Sequence, residues 1–449
     1  MSKSDQHIKT FPKGGVHPND EKRSANVPIS ELPPPKMVSI PLSQHIGAPS
    51  VPVVDKRDPV KVGQIIAKSK GLVSSNIHSS VSGTVTKIDY VLDSTGYKRQ
   101  AVIIRVKDDE WEESIDRSET LVKDIALEKD EILKKVAEAG IVGLGGATFP
   151  AHIKLNIPRG KKADYLILNG VECEPYLTAD HRLMLEKGAE IIIGAKILMK
   201  ALGVEKCVIG IEINKPDAIA NLSELCKEYP GIAVQPLKVQ YPQGGEKQLI
   251  KAVLNREVPS GGLPIDVGVV VHNVGTSFAV YEAIQKNKPL IERIVTVTGK
   301  EVDKPVNLRV RIGTPVQDLI LAAGGLPDNT GKIISGGPMM GKALNSLEVP
   351  VAKGTSGILL MPEEEAHRKA QQVCIRCGQC VSVCPMGLEP YLLMNECEKE
   401  VFERAEKDHI LDCIECGSCA FVCPSNRALL DYIRLGKRVV TTMRRERVS

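Results

Sequence analysis

Nine of the chain's twelve cysteines lie between Cys374 and Cys423, and their spacing points to a specific chemistry. Cys374-Ile-Arg-Cys377-Gly-Gln-Cys380-Val-Ser-Val-Cys384-Pro385 is a complete C-x2-C-x2-C-x3-C-P run. Cys413-Ile-Glu-Cys416-Gly-Ser-Cys419-Ala-Phe-Val-Cys423-Pro424 is a second. Three thiolates at this spacing wrap one corner of an iron–sulfur cubane, and the fourth cysteine of each run reaches the other cluster. The expected ligand sets are Cys374, Cys377, Cys380 and Cys423 for one [4Fe–4S] cluster, and Cys413, Cys416, Cys419 and Cys384 for the second. Pro385 and Pro424 turn the chain away after each crossover ligand, while Gly378, Gly417 and Ser418 let backbone amides approach the sulfurs. Zinc sites use paired C-x2-C knuckles and have no need of a third cysteine. Cys397, Cys207 and Cys226 fall outside both spacings and read as buried free thiols.

Clusters of this type move single electrons, so a second redox centre should set the chemistry. Gly143-Leu-Gly145-Gly146-Ala147-Thr148-Phe149-Pro150 is the candidate. It is not a Rossmann fingerprint, because the glycine spacing differs and a helix precedes it where a strand should. Alone, such a cluster is more often a turn than a phosphate cradle. Its neighbours change that balance. Lys154 follows; Asn169-Gly-Val-Glu172-Cys-Glu174-Pro175 comes directly after a β run. Tyr241-Pro-Gln-Gly244-Gly245-Glu246 and Val271-His272-Asn273-Val-Gly-Thr276 come later.

The elements that must position these motifs fall into several units. The chain has 449 residues, 42% hydrophobic, enough for about three domains with sizeable cores. Residues 1–35 are polar and proline-rich and read as an arm without a core of its own. Residues 36–106 carry short β runs at 37–40, 51–54, 84–88 and 101–106. The 77–85 stretch resembles the hairpin half of a lipoyl domain without its modifiable lysine, so a small structural β sandwich is expected. Residues 107–129 read as an acidic linker.

From 130 to 290 the pattern alternates strand and helix, which implies a covered α/β sheet. Helices are expected at 130–139, 183–202 and 217–228, and from about 274 to 284. Strands are expected at 164–168, 206–213 and 266–271. Residues 291–362 read as a small β-grasp, with strands at 293–298, 307–312 and 332–335 and a helix capped by Thr314. Residues 363–426 form the two-cluster module, with helix from 388 to 411, and 427–449 a basic tail.

Composition excludes other classes. Aromatic residues make up only 3% of the chain, leaving few platforms for stacked bases, so nucleic acid is not an expected partner. No apolar run approaches a membrane span, and the N-terminus lacks the apolar core of a signal peptide, so a cytosolic chain is expected.

The combined order of parts resembles one family across nearly the whole chain: the C subunits of the Rnf ion-translocating ferredoxin:NAD+ oxidoreductases. That family is itself similar to the NADH- and FMN-binding subunit of respiratory complex I. The opening Phe11-Pro-Lys-Gly14-Gly15-Val-His17-Pro18 also looks like the family. The resemblance implies a multidomain α/β and α+β architecture. Its parts would be an N-terminal barrel-sandwich-like β domain, a complex-I-type FMN/NADH α/β domain, an SLBB-like β-grasp and a C-terminal α-helical two-cluster ferredoxin module.

It implies that Gly143, Gly145, Gly146 and Lys154 meet FMN. Asn169, Glu172, Gly244, Gly245, Glu246, Asn273 and Thr276 would line the same site. Phe149 matches an aromatic that stacks on the dinucleotide, and Glu174 an acid that hydrogen-bonds it. No side chain is assigned a nucleophilic or other catalytic role. The chain departs from the complex I protein in having Val171 for an aspartate, Gly245 for the first glutamate of a pair and His272 for one of two asparagines. The second and third stacking aromatics have no counterpart.

The implied function is electron transfer between NAD(H), FMN and two [4Fe–4S] clusters in a membrane-bound complex. The partners would be the membrane-embedded and ferredoxin-accepting subunits, with peripheral attachment on the cytoplasmic side. Two alternatives are a soluble NADH-linked flavin dehydrogenase or hydrogenase subunit, and an iron–sulfur relay without flavin. The tail from Arg427 carries seven basic residues and two acidic ones. It reads either as a solvated helix or as an attachment to an acidic surface.

Overall fold

The computed structural model describes residues 8–448. Alternating buried and exposed residues close a barrel-sandwich from two antiparallel sheets. One has the strand order Met37–Pro41, Lys98–Val106, Gly83–Leu92, Pro59–Val60; the other is Val51–Pro52, Ile65–Lys68, Ile77–His78. Val38, Ile40, Ile66, Ile77, Val85, Val102 and Ile104 fill it. The following stretch has no helix or long strand, but it is pinned rather than loose. The guanidinium groups of Arg311 and Arg117 lie over the Trp111 ring, 4.5 and 4.8 Å from its centre.

The next unit is a four-stranded parallel sheet in the order Ile232–Leu237, Cys207–Glu212, Tyr165–Asn169, Val269–Asn273. Its strands are near-continuous apolar runs because helices cover the sheet. The chain leaves its first strand to one side for the next two and crosses to the other side for the last. The order therefore reverses between Tyr165–Asn169 and Val269–Asn273, and a crevice opens beyond the carboxyl ends of those two strands, where such sheets bind ligands.

Glu292–Gly299, Val306–Arg311, Thr330–Ser335, Lys342–Ala343 and Gly357–Pro362 build the β-grasp sheet around the Val316–Ala322 helix. The N-terminal arm is woven through these units. Phe11 is buried in the α/β core, Val16 bridges Tyr241, and Ile29–Glu31 adds a parallel edge strand beside Val306–Arg311. Buried Lys353 joins three units, its ammonium donating to the carbonyls of Asn76 and Gly140 at 2.8 and 2.7 Å.

Several expected elements differ from those found. The expected 183–202 helix is two helices, Ala179–Glu186 and Gly188–Leu202, broken at Lys187. Gly188 packs so closely on the Pro216–Cys226 helix that a Cβ there would lie 2.9 Å from Asn221 and Leu225. The strand expected at 266–271 begins only at Val269, because Pro264–Val267 forms a 3-10 turn closed by Gly268 at φ +73°.

Thr314 is not the helix cap; its hydroxyl donates back to the Arg311 carbonyl and Pro315 takes the cap position. The expected 388–411 helix is Pro390–Glu398, Phe402–Lys407 and a 3-10 turn at Ile410–Asp412, interrupted at Glu400 (φ +57°). The sequence reading missed Ile232–Leu237, Glu246–Leu254 and Gly357–Pro362.

The tail is a 20-residue helix, Leu429–Val448, that buries Ile433 and Val440 against Leu393, Cys397 and Ile410. Its charges are mostly paired within the chain. Arg427 meets Glu398, Arg434 and Lys437 meet Glu415, and Arg444 and Arg447 meet Glu406. The expected free basic surface is correspondingly reduced.

Candidate flavin crevice and two-cluster module

Asn169 and Asn273 end the two strands that flank the crevice and are paired in register. Each is used to shape it. The Asn169 amide donates to the Gly244 carbonyl at 2.9 Å, tying its loop to the segment that precedes the Glu246–Leu254 helix. Asn273 caps the Val274–Gln285 helix through Gly275 N–H, so the positive end of a 12-residue helix points into the crevice. Thr276, one turn in, accepts from the Leu144 N–H at 2.9 Å and anchors the glycine loop above it.

That loop is a fold-back in which Gly143 N–H donates to the Phe149 carbonyl at 2.8 Å. At its tip Gly145, Gly146 and Ala147 are exposed, and their N–H groups make no hydrogen bond among the described residues. Gly146 sits at φ +117°, where a side chain would be strained. A run of free N–H groups facing a helix N-terminus fits a phosphate-bearing flavin. Phe149 is half-buried beside it.

Lys154 lies at the same end, but it is not a free charge: its ammonium donates to Glu246 at 2.6 Å and to the Val271 carbonyl at 3.1 Å. Gly245 caps the helix that Glu246 begins. His272 is buried, its Nε2 has no partner among the described residues, and burial together with Lys154 holds its pKa down at about 3, so the ring is neutral.

The Asn169–Pro175 loop is held by cations that the sequence reading did not single out. Lys22, on the N-terminal arm, donates to the carbonyls of Glu172, Glu174 and Leu177 at 2.8, 2.9 and 2.7 Å. Lys215 is buried and donates to the Val171 carbonyl at 2.7 Å. A lysine in a polar arm carries no local signal of such a role.

Glu172 does not point into the crevice as a free acid; its carboxylate accepts from the Asp180 and His181 N–H groups and starts the Ala179–Glu186 helix. Asp180, also missed, accepts from the Asn273 amide at 2.6 Å. Glu174 differs from its expected role in the same way. Its carboxylate accepts from the Met339 and Met340 N–H groups of the β-grasp at 3.1 and 2.8 Å. Burial raises its pKa to about 7 despite those bonds.

The two cysteine runs adopt matching backbones. Arg376 and Glu415 are both left-handed (φ 54° and 57°), Gly378 and Gly417 follow at φ 74° and 79°, and each run continues into one helical turn. Cys384 stands with Cys413, Cys416 and Cys419 around one cavity walled by Leu388, Leu393, Leu430 and Ile433. Burial pushes the Cys413 thiol up to about 11 and raises Cys416 and Cys419, with neighbouring thiols adding to it. Thiols so buried become good ligands only when a metal displaces the proton.

Backbone N–H groups of Glu415 and Leu388 already point at the Cys413 and Cys384 sulfurs, at 3.3 and 3.4 Å. Cys380 has Cys377 and Cys423 as neighbours. Cys374 and Cys377 are exposed. The inner grouping fits a cubane whose fourth ligand, Cys384, crosses over from the first run, and Cys423 beside Cys380 and Cys377 fits the reciprocal crossing. The inner set abuts the α/β domain: the Tyr241 hydroxyl donates to the Cys416 carbonyl at 2.8 Å, with Cys173 and Val16 packed around it.

The fold and site define a flavin and iron–sulfur electron-transfer protein. Residues 136–282 match the Nuo51 FMN-binding domain, 9–110 the RnfC barrel sandwich hybrid domain, 294–343 the SLBB domain and 366–424 the 4Fe-4S dicluster domain. The crystal structure of an H2-reduced NAD+-reducing [NiFe]-hydrogenase shares the fold at TM-score 0.50 and 18% identity, over 71% of this chain and 63% of that one.

The C subunit of the proton-translocating ferredoxin:NAD+ oxidoreductase complex of Clostridium ljungdahlii is 50% identical over 434 residues, 95% of this chain and 93% of that protein. The C subunit of the Na+-translocating complex of Acetobacterium woodii is 45% identical over 97% of this chain and 98% of its own length. The chain belongs to the RnfC family, the C subunits of ion-translocating ferredoxin:NAD+ oxidoreductase complexes.

Proposed function

We propose that this chain is the NAD(H)-reacting subunit of an ion-translocating ferredoxin:NAD+ oxidoreductase, carrying FMN in the α/β crevice and two [4Fe–4S] clusters in the C-terminal module. The observation that carries the reading is the seating of the inner cysteine set against the crevice domain through Tyr241 and Cys416. FMN, when bound, exchanges an electron pair with NAD(H) as hydride and passes electrons singly to clusters.

The chain's own residues supply position and field. Gly145 and Gly146 with the Val274–Gln285 helix would receive the phosphate, Gly143 closing the loop that presents them; the Lys154–Glu246 pair and Gly244 and Gly245 would border it. Asn169, Glu172, Asn273 and Thr276 hold the walls through the hydrogen bonds described above. Phe149 stacks on the dinucleotide. Glu174 braces the loop from the β-grasp side.

The set Cys413, Cys416, Cys419 and Cys384 would hold the cluster that exchanges electrons with the crevice, and the more exposed set Cys374, Cys377, Cys380 and Cys423 would hold the cluster beyond it. The outer set faces a redox partner among the membrane-embedded and ferredoxin-accepting subunits, and the chain attaches through them on the cytoplasmic side. No helix among the described residues is long and apolar enough to cross a membrane, so ion movement is assigned to other subunits.

Anaerobic purification with quantification of iron, sulfide and released flavin tests the reading. About eight irons and one FMN per chain, with flavin bleached by NADH, are expected. A chain with its clusters but without flavin would reduce it to a relay.

A further inference from the structure

Reduction of NAD+ by one-electron carriers consumes a proton: NAD+ + 2 e− + H+ gives NADH, and the reverse reaction releases one. The electrons enter through the cysteine module, so the proton needs a route of its own. A narrow cavity, open to solvent, runs beside the crevice, lined by Leu144, Asp180, Gly275, Phe278, Glu282 and Arg293 among others. It follows the Val274–Gln285 helix from Gly275 to Glu282, seven residues or roughly 10 Å. Its crevice end holds the glycine-loop residue Leu144 and Asp180. Its other end reaches the partly exposed side chains of Glu282, Glu292 and Arg309.

Asp180 is the titratable group at the junction. One carboxylate oxygen accepts from the amide of Asn273, the residue that ends the crevice strand. The carboxyl faces Glu172 from the loop before its own helix, Arg293 from the β-grasp and Lys215 from the segment before the Pro216–Cys226 helix. Glu282 and Glu292 share Lys288 at 2.9 and 2.6 Å, so the water-side acids are already paired.

We propose that Asp180 is the proton relay between bulk water and the flavin crevice, with the cavity along the Val274–Gln285 helix as its entry. In NAD+ reduction the Asp180 O–H bond breaks, the proton enters the crevice, and cavity water re-protonates the carboxylate. In NADH oxidation the same proton leaves by the same path. Burial and Glu172 together hold the carboxyl well above the usual carboxylate range, which keeps a transferable proton on it near neutrality.

The inference rests on the reading of the crevice as the flavin site, and the two fail differently. The test uses Asp180→Asn in the flavin- and cluster-loaded chain, which keeps an acceptor for Asn273 but cannot carry the proton. Stopped-flow mixing with NADH separates flavin bleaching, in which the hydride brings its own proton, from electron release to the clusters, which must expel one. Electron release is expected to slow about tenfold to a hundredfold more than bleaching and to lose its pH dependence near neutrality. Added small weak acids should restore it through the cavity, as should Asp180→Glu.

Equal slowing of both phases, or an unchanged pH profile, would overturn the relay. A wild-type chain that holds no flavin or is not bleached would instead overturn the site reading. Should the asparagine variant lose its flavin, infrared spectra of the wild-type chain labelled with carbon-13 aspartate decide. A protonated carboxyl band that titrates near neutrality is expected, and its absence refutes the relay.

Discussion

Replacing Lys22 with methionine tests how the crevice loop is held, because it removes one ammonium from three carbonyls at once. Each hydrogen bond from a charged donor contributes roughly 1.5–3 kcal/mol, so the three sum to roughly 5–9 kcal/mol before costs. Two effects cut this down. Burial disfavours the ammonium, and Lys215 repels it, so its pKa is already lowered. The freed carbonyls of a partly exposed loop can also recover water. A net loss of about 2–4 kcal/mol is the reasonable magnitude.

If that loss falls on the flavin-competent loop, FMN affinity drops roughly thirty- to several-hundred-fold. The assay is titration of flavin-depleted chain with FMN, followed by quenching of flavin fluorescence. Lys9→Met is the control, since its ammonium, on the same arm, donates among the described residues only to the Val253 carbonyl. Equal FMN affinity in Lys22→Met and the control would refute the claim that the arm holds the loop.

Cys384→Ala should strip the cluster nucleated by Cys413, Cys416 and Cys419 and leave the other, halving iron content; loss of only the Cys374-side spectrum would show that ligands do not cross. Tyr241→Phe leaves the buried Cys416 carbonyl without its donor and should cost about 1–2 kcal/mol, moving the midpoint potential of the inner cluster alone in an electron paramagnetic resonance titration. Lys437→Met, which frees the Cys413 carbonyl bonded at 2.6 Å, should speed iron release, whereas deleting 444–449 removes the surface pairs of Arg444 and Arg447 to Glu406 and should shift the melting temperature by no more than about 2 °C. Glu292→Gln should destabilise the chain: burial alone would raise that carboxyl, but Lys288, Arg311 and Arg309 pull it from 4.5 down to about 2, which corresponds to about 3 kcal/mol. Because the folded pKa is the lower one, that stability is present above pH 4.5 and fades as pH falls toward 2. Denaturant unfolding of cluster-free chain, read from Trp111 fluorescence, should show the gap at pH 7 and its closing in acid.

The cysteine runs were legible in the sequence because cluster ligation imposes short, local spacings that survive without any tertiary knowledge. Three of the four parallel strands were legible for a similar reason, since an apolar run covered on both faces needs no partner to be recognised; the edge strand Ile232–Leu237, with Ala233 exposed and Gln235 and Pro236 in the run, was not. The small β sandwich and the β-grasp were read from β runs and turns in order, and the family resemblance gave them their barrel-sandwich and SLBB-like form. Local periodicity failed where a distant contact intervened. The 183–202 stretch breaks at Lys187, just before Gly188 packs against the Pro216–Cys226 helix, and Glu400 breaks another inside what reads as one helical stretch.

Side-chain roles were decided by tertiary structure alone. Glu174 is bonded to the β-grasp, Glu172 starts a helix and Lys154 is paired with Glu246, so three groups that look like ligand contacts by motif are each held by bonds within the fold. Lys22 and Asp180 have unremarkable sequence neighbourhoods and gain meaning only when 150 residues of chain bring Lys22 to its carbonyls and the β-grasp closes a cavity over Asp180. A motif specifies which residues are near one another along the chain, but burial and hydrogen-bond partners depend on which surfaces meet in space. Those surfaces decide whether a charge stays free for a ligand or is bound within the fold.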